Sequence, residues 1–176
     1  ERNTGVGIQA LDALTSGDRN TVMGYQSGTA LTTGSFNAFV GDNAGSTAST
    51  TTNNTGMGYA AVEKSNAANN TGFGSSANRN NTGVNNTAVG AEALKGASGS
   101  AATNNTAIGQ HAGQVIDDGN YNIFVGSDAG QNVASGSGNV IIGSVDAAAA
   151  DSARTLKITG YDGSTATTWI SGDSSG

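Results

Sequence analysis

The chain of 176 residues has no cysteine and no proline, and only 5% of it is aromatic and 11% charged. Without cysteine there are no disulfides and no thiolate metal sites. Without proline nearly every residue keeps a backbone N–H to donate, which suits a chain whose segments pair edge to edge. Acids and bases are scattered singly around a net charge of -6. No basic stripe exists to neutralise phosphates, so nucleic acid is not expected as a partner. No apolar run approaches the roughly 20 residues of a membrane helix, and membrane insertion is not expected. The first residue is Glu1, which fits processing, trimming or a mature secreted chain.

What the chain does have is 28 glycines and one phrase that returns nine times: asparagine, two mostly small or β-branched residues, a bulky apolar residue, then glycine. The asparagines are Asn3, Asn20, Asn37, Asn54, Asn70, Asn86, Asn105, Asn122 and Asn139. Steps of 16 to 19 residues separate them, a period that fits one turn of a β-solenoid and is too short for helical-pair repeats. A disordered chain of such composition would not hold an apolar phase over nine turns. The expected fold is all-β: a parallel β-solenoid, or β-roll, of about nine coils over residues 1–147. Residues 148–176 then form a linker, a short C-terminal β-hairpin cap and a flexible tail after Gly172.

Stacked coils place the asparagines in a column whose side-chain amides can pair along the axis. Side chains alternate across a strand, so the first and third residues after each asparagine share a face. The third is always large, and it is read as the inward core ladder: Val6, Met23, Val40, Met57, Phe73, Val89, Ile108, Val125 and Ile142. Three residues beyond each glycine a small residue recurs, Ala10, Ser27, Ala44, Ala61, Ala77, Ala93, Ala112 and Ala129, with Asp146 in the last copy. It reads as a second inward site with little room. The second strand residue is then outward, and a solvated face would not collect Val22, Phe39, Phe124 and Ile141. These are the candidate self-association residues, with another copy of the chain as partner. The returns at 46–53 and 95–104 read as exposed, and the second, within the one 19-residue step, should bulge.

Beyond Ala147 the phrase stops. Two strand-like runs, 155–159 and 165–171, flank a Gly-Tyr-Asp-Gly turn at 160–163. A hairpin there would cap the open solenoid end, which otherwise recruits further strands.

Segments such as Asn86-Thr-Ala-Val-Gly-Ala-Glu-Ala-Leu94 and Asn105-Thr-Ala-Ile-Gly-Gln-His-Ala-Gly113 resemble the repeats of bacteriophage tail-fibre proteins. More remotely they are similar to the head repeats of YadA-like trimeric autotransporter adhesins. The coils here carry longer returns than the autotransporter coil, which makes the tail-fibre comparison the nearer one. The resemblance covers residues 3 to about 147. It implies a parallel β-roll, three chains side by side, and attachment on the outside of a virion or cell, where a host-surface receptor or glycan would be the partner.

Chemistry finds little support. His111 stands alone in the outward position before Ala112, whereas a catalytic base needs partners within hydrogen-bond reach. Asp42, Glu92 and Asp128 lie on different coils, and Asp117 and Asp118 are the one tight acidic pair. Calcium-binding rolls need dense Gly-Gly-x-Gly-x-Asp repeats, which are missing. The Gly-x-Gly runs at Gly5, Gly56 and Gly72 lead into further coil, not into a helix that would cradle phosphate. Five Asn-x-Thr sequons start at Asn53, Asn69, Asn80, Asn85 and Asn104, and turn and ladder usage accounts for them without sugar. Neither an enzyme nor a cofactor is expected. The reading is a non-enzymatic structural or adhesive fibre module that self-associates as a homotrimer. A head-to-tail homopolymer is a rival assembly. Threonines at Thr4, Thr21, Thr55, Thr71, Thr87 and Thr106 raise ice binding as a second rival. With the bulky residue inward, however, these threonines would face the core edge.

Overall fold

The computed structural model describes residues 2–173. Nine three-residue strands follow the nine asparagines: β1 Thr4–Val6, β2 Thr21–Met23, β3 Ala38–Val40, β4 Thr55–Met57, β5 Thr71–Phe73, β6 Thr87–Val89, β7 Thr106–Ile108, β8 Ile123–Val125 and β9 Val140–Ile142. Two longer strands, β10 Leu156–Tyr161 and β11 Ala166–Gly172, complete one sheet in strict chain order. β1 to β10 pair in parallel and β11 returns antiparallel on β10. The protein is a β-solenoid of about nine turns, and its strands, spaced about 4.8 Å apart, stack over roughly 50 Å.

Glycine ends each strand because only glycine fits. From Gly7 to Gly126 these residues have φ between 129 and 140°, and a Cβ on any of them would collide with the backbone of the next coil's glycine. Left-handed residues recur at fixed places in the returns: two residues after the glycine, as at Gln26, Asn43 and His111, and just before the next asparagine, as at Phe36, Asn53 and Tyr121. Hydrogen bonding between coils does not stop at the strands. Leu11 donates to Ser27 and Thr32 to Ser49 in the next coil, while Gln26 donates back to Ile8 and Phe36 to Asp18. The whole coil, not only its strand, is therefore stitched to its neighbours.

The interior holds the opposite strand phase from the one expected. Val22, Phe39, Ala88, Ala107, Phe124 and Ile141 are fully buried, whereas Val6, Met23, Met57, Phe73, Val89, Ile108 and Ile142 are exposed and Val40 and Val125 half-buried. The bulky ladder is thus not the core, and Val22, Phe39, Phe124 and Ile141 cannot be a self-association surface. The reason is the width of the coil. Each strand's middle residue shares a narrow interior with the residue six positions later, and the two compensate in size. Gly5 faces Leu11, Phe39 faces Gly45, Gly56 faces Val62 and Phe124 faces Gly130. A Cβ on Gly45 would lie 2.5 Å from the Phe39 ring. A column that is large in every coil does not fit such a space, so it is turned outward. The small column is inward as expected, with Ser27, Ala44, Ala61, Ala77, Ala93, Ala112 and Ala129 buried, but Asp146 is exposed.

The phrase also runs one copy further than expected, in disguise. Leu156, Lys157 and Ile158 register with Val140, Ile141 and Ile142, so Thr155 stands in the asparagine position and Thr159 in the glycine position. Lacking glycine, the chain does not turn the corner after Ile158 but continues straight to Tyr161. The turn therefore lies at 162–165, not 160–163, where the Asp162 carboxylate accepts from the Ser164 and Thr165 N–H groups at 2.9 and 2.8 Å. The return at 46–53 is less exposed than its composition suggests, with Ala48 and Thr51 buried. The long return bulges only at 97–99, after which Ser100 is buried and its hydroxyl donates to Ile116 at 3.0 Å. The expected tail falls largely on residues 174–176, outside the described residues.

Candidate self-association face

Two features run the length of the solenoid, and both start from the asparagine phrase. The first is internal. Each asparagine's Oδ1 accepts the backbone N–H of the next asparagine at 2.7–3.0 Å, from Asn3 and Asn20 through to Asn122 and Asn139. Its Nδ2 donates to a carbonyl of the next return, for example Asn20 to Gly34, Asn86 to Ala102 and Asn122 to Gly136 at 2.8–2.9 Å. Most also donate to the Oδ1 of the preceding asparagine, as Asn105 does to Asn86 at 3.2 Å. Asparagine alone supplies an acceptor and two donors on a stem this short. The column ends at Thr155, whose N–H donates to Asn139 Oδ1 at 2.9 Å.

The second feature is external. The outward side chains of the strands form two parallel files. One is Thr4, Thr21, Ala38, Thr55, Thr71, Thr87, Thr106, Ile123 and Val140, and the other is the bulky series from Val6 to Ile142. Met23 is 50% exposed, Ile108 45% and Ile123 42%. Leu156 and Ile158 extend the files onto β10, where Ile158 pairs with Ile170, and neither file contains a charged residue. The side chains on this face are apolar or hydroxyl-bearing along its whole length. Ile8, Tyr25 and Tyr59 flank it, just past the glycine corner, and are about half exposed or more.

Polar residues on the remaining faces pair within and between coils. Arg2 and Asp18 approach to 2.6 Å, and the Arg2 side chain, followed by its backbone N–H, pulls the Asp18 carboxyl down to about 2. Lys95 bonds Glu92 at 3.1 Å and, ahead of Gln114, lowers that carboxyl too. His111 Nδ1 lies 3.0 Å from Asp128 Oδ1 in the next coil. No group of three metal-ligating side chains occurs among the described residues, and Asp117 and Asp118 are exposed. Four of the five sequon asparagines, Asn53, Asn69, Asn85 and Asn104, form a second amide ladder on the surface with bonds of 3.0–3.2 Å. No protein-family model, curated protein or solved structure matches this chain.

Proposed function

We propose that the chain is a non-enzymatic structural and adhesive module of an extracellular fibre, on a virion or cell surface, whose coils associate side by side as a homotrimer. The observation that carries this reading is the uncharged double file on the strand face. A roughly 50 Å strip of exposed Val, Ile, Met and Phe is what a soluble surface avoids and an interface uses. Another copy is the partner that fits, because its coils repeat at the same spacing, so knobs and gaps stay in step from end to end. Two files per chain allow each copy to meet one neighbour with the threonine-rich file and the other with the bulky file. Such a side-by-side heterologous contact closes into a ring of three when each copy is turned by a third of a revolution from the last. The similarity to tail-fibre repeats supports three as the number.

Sedimentation equilibrium tests this. The expected mass is three times the 17.2 kDa chain, and I108D should convert the particle to a folded monomer. A wild-type chain that sediments as a monomer at micromolar concentration overturns the reading. An end-to-end filament would instead grow with concentration. The hairpin strands β10 and β11, laid over the edge of β9, argue against that mode of growth.

One observation favours a second reading. Thr21, Thr55, Thr71, Thr87 and Thr106 point outward in register, not toward the core edge, and a regular hydroxyl file of this kind can order water for ice binding. Thermal hysteresis in a sample shown to be monomeric would favour ice over self-association.

A further inference from the structure

The fifth coil breaks the apolar filling of the solenoid. Where other coils place Leu11, Val62 or Leu94 it has Asn78, and where they place Leu31, Ile116 or Val133 it has Asn81, while its strand contributes only Gly72 to the interior. Asn78 and Asn81 are fully buried. Both polar atoms of the Asn78 amide, and Nδ2 of Asn81, have no hydrogen-bond partner in the protein; Asn81 Oδ1 accepts the Gly83 N–H at 2.9 Å. The neighbouring coil adds polarity in the same column: Ser65, buried, accepts from Asn70 Nδ2 at 2.9 Å. The apolar core divides here into two clusters. One contains Val22, Phe39 and Val62, and the other runs from Ala77 and Ala88 to Ile141. Buried amides are almost always hydrogen-bonded, to protein or to ordered water.

We propose that the fifth coil encloses a binding site for water between the two halves of the core. The two carboxamides have the branched shape of leucine but a smaller volume than Leu94 and Ile116, which stand at the same places in later coils. The set of free groups matches the ligand. A water oxygen accepts from Nδ2 of Asn78 and of Asn81 and donates a proton to Asn78 Oδ1, within the two to four bonds that buried waters make. An anion could use the two donors but would face Asn78 Oδ1 with like polarity.

The test is water–protein cross-relaxation in the NMR spectrum of the intact chain. Long-lived contacts from water to the side-chain amides of both Asn78 and Asn81 are expected, with the flanking buried Asn70 and Asn86 amides silent. Absence of the signal at either Asn78 or Asn81 overturns the proposal. So does a bromide peak between the two amides in anomalous diffraction, which would make the site an anion site. N78L, the residue the repeat uses at this position in the next coil, removes two of the three bonds and should abolish the signal at Asn81; persistence there overturns the assignment. If N78L does not fold, the wild-type spectrum decides alone.

Discussion

At the scale of the residue, the protein depends on pairs in which a large side chain faces a glycine across the narrow interior. Gly28 and Gly45 both have φ near 58°, so an alanine at either carries the same backbone penalty of about 1–2 kcal/mol. They differ in what the methyl meets. At Gly28 the nearest atoms are 3.4 Å away, on Leu11 and Val22, whereas at Gly45 the Phe39 ring is 2.5 Å away. We expect G28A to cost little beyond the backbone term and G45A to cost a further 1–3 kcal/mol or so from overpacking. Urea denaturation reads the difference, and F39A should recover much of the excess in the double variant. The asparagine column predicts a larger loss. N105A leaves the Asn122 N–H without its acceptor and the Gly119 carbonyl without its donor, both buried, at about 1–3 kcal/mol each. On the surface, Asp18 supplies a pH signature. Its folded pKa of about 2 lies below its ordinary value, so the Arg2 contact contributes stability above about pH 4 that fades as the pH falls through 2. Carboxyl NMR should show the depressed titration in the wild type and a partial return toward the ordinary carboxylate range in R2A, which loses the guanidinium but keeps the residue 2 N–H.

At the scale of the element, the coil was legible and its inside and outside were not. Asparagine and glycine in fixed register define the period, the strands and the stacking, because each solves a local problem that few other residues solve. Alternation leaves two phases open, and invariant bulk at Val6, Met23 and Val40 points toward a core only when the interior is wide. The signal for the true phase lies in pairs, not columns: Gly5 with Leu11, Val22 with Gly28, Phe39 with Gly45, Ala88 with Leu94, Phe124 with Gly130. The small-then-large, large-then-small exchange within single coils reports a shared volume. Copy ten is hidden in the sequence for a related reason. Thr155 and Thr159 replace both residues that mark the phrase, leaving only the alternation of Leu156 and Ile158. The inverted phase makes a direct prediction. A107D, on the inward side, should unfold its neighbouring coils, while V89D and I108D should leave the circular dichroism spectrum of the chain intact.

At the scale of the whole molecule, the division of the apolar core at the fifth coil implies two units of unequal resistance. Amide hydrogen exchange should show a protection minimum across residues 65–81, with the coils around Phe39 and those around Phe124 opening separately at higher cost. Uniform protection along the rod would contradict this. The outward files, by contrast, are continuous across the break, so an assembled particle would bridge the joint from outside.

The stitching between coils also determines how the rod answers a pull along its length. Tension applied from one end to the other meets the inter-coil bonds one rung at a time, as a zipper does, not all together. A single stretched chain should therefore yield in a sawtooth, each tooth freeing one repeat of 16 to 19 residues, or about 55–65 Å of slack at roughly 3.4 Å per residue. A tether built this way gives ground in small increments and keeps its remaining coils intact.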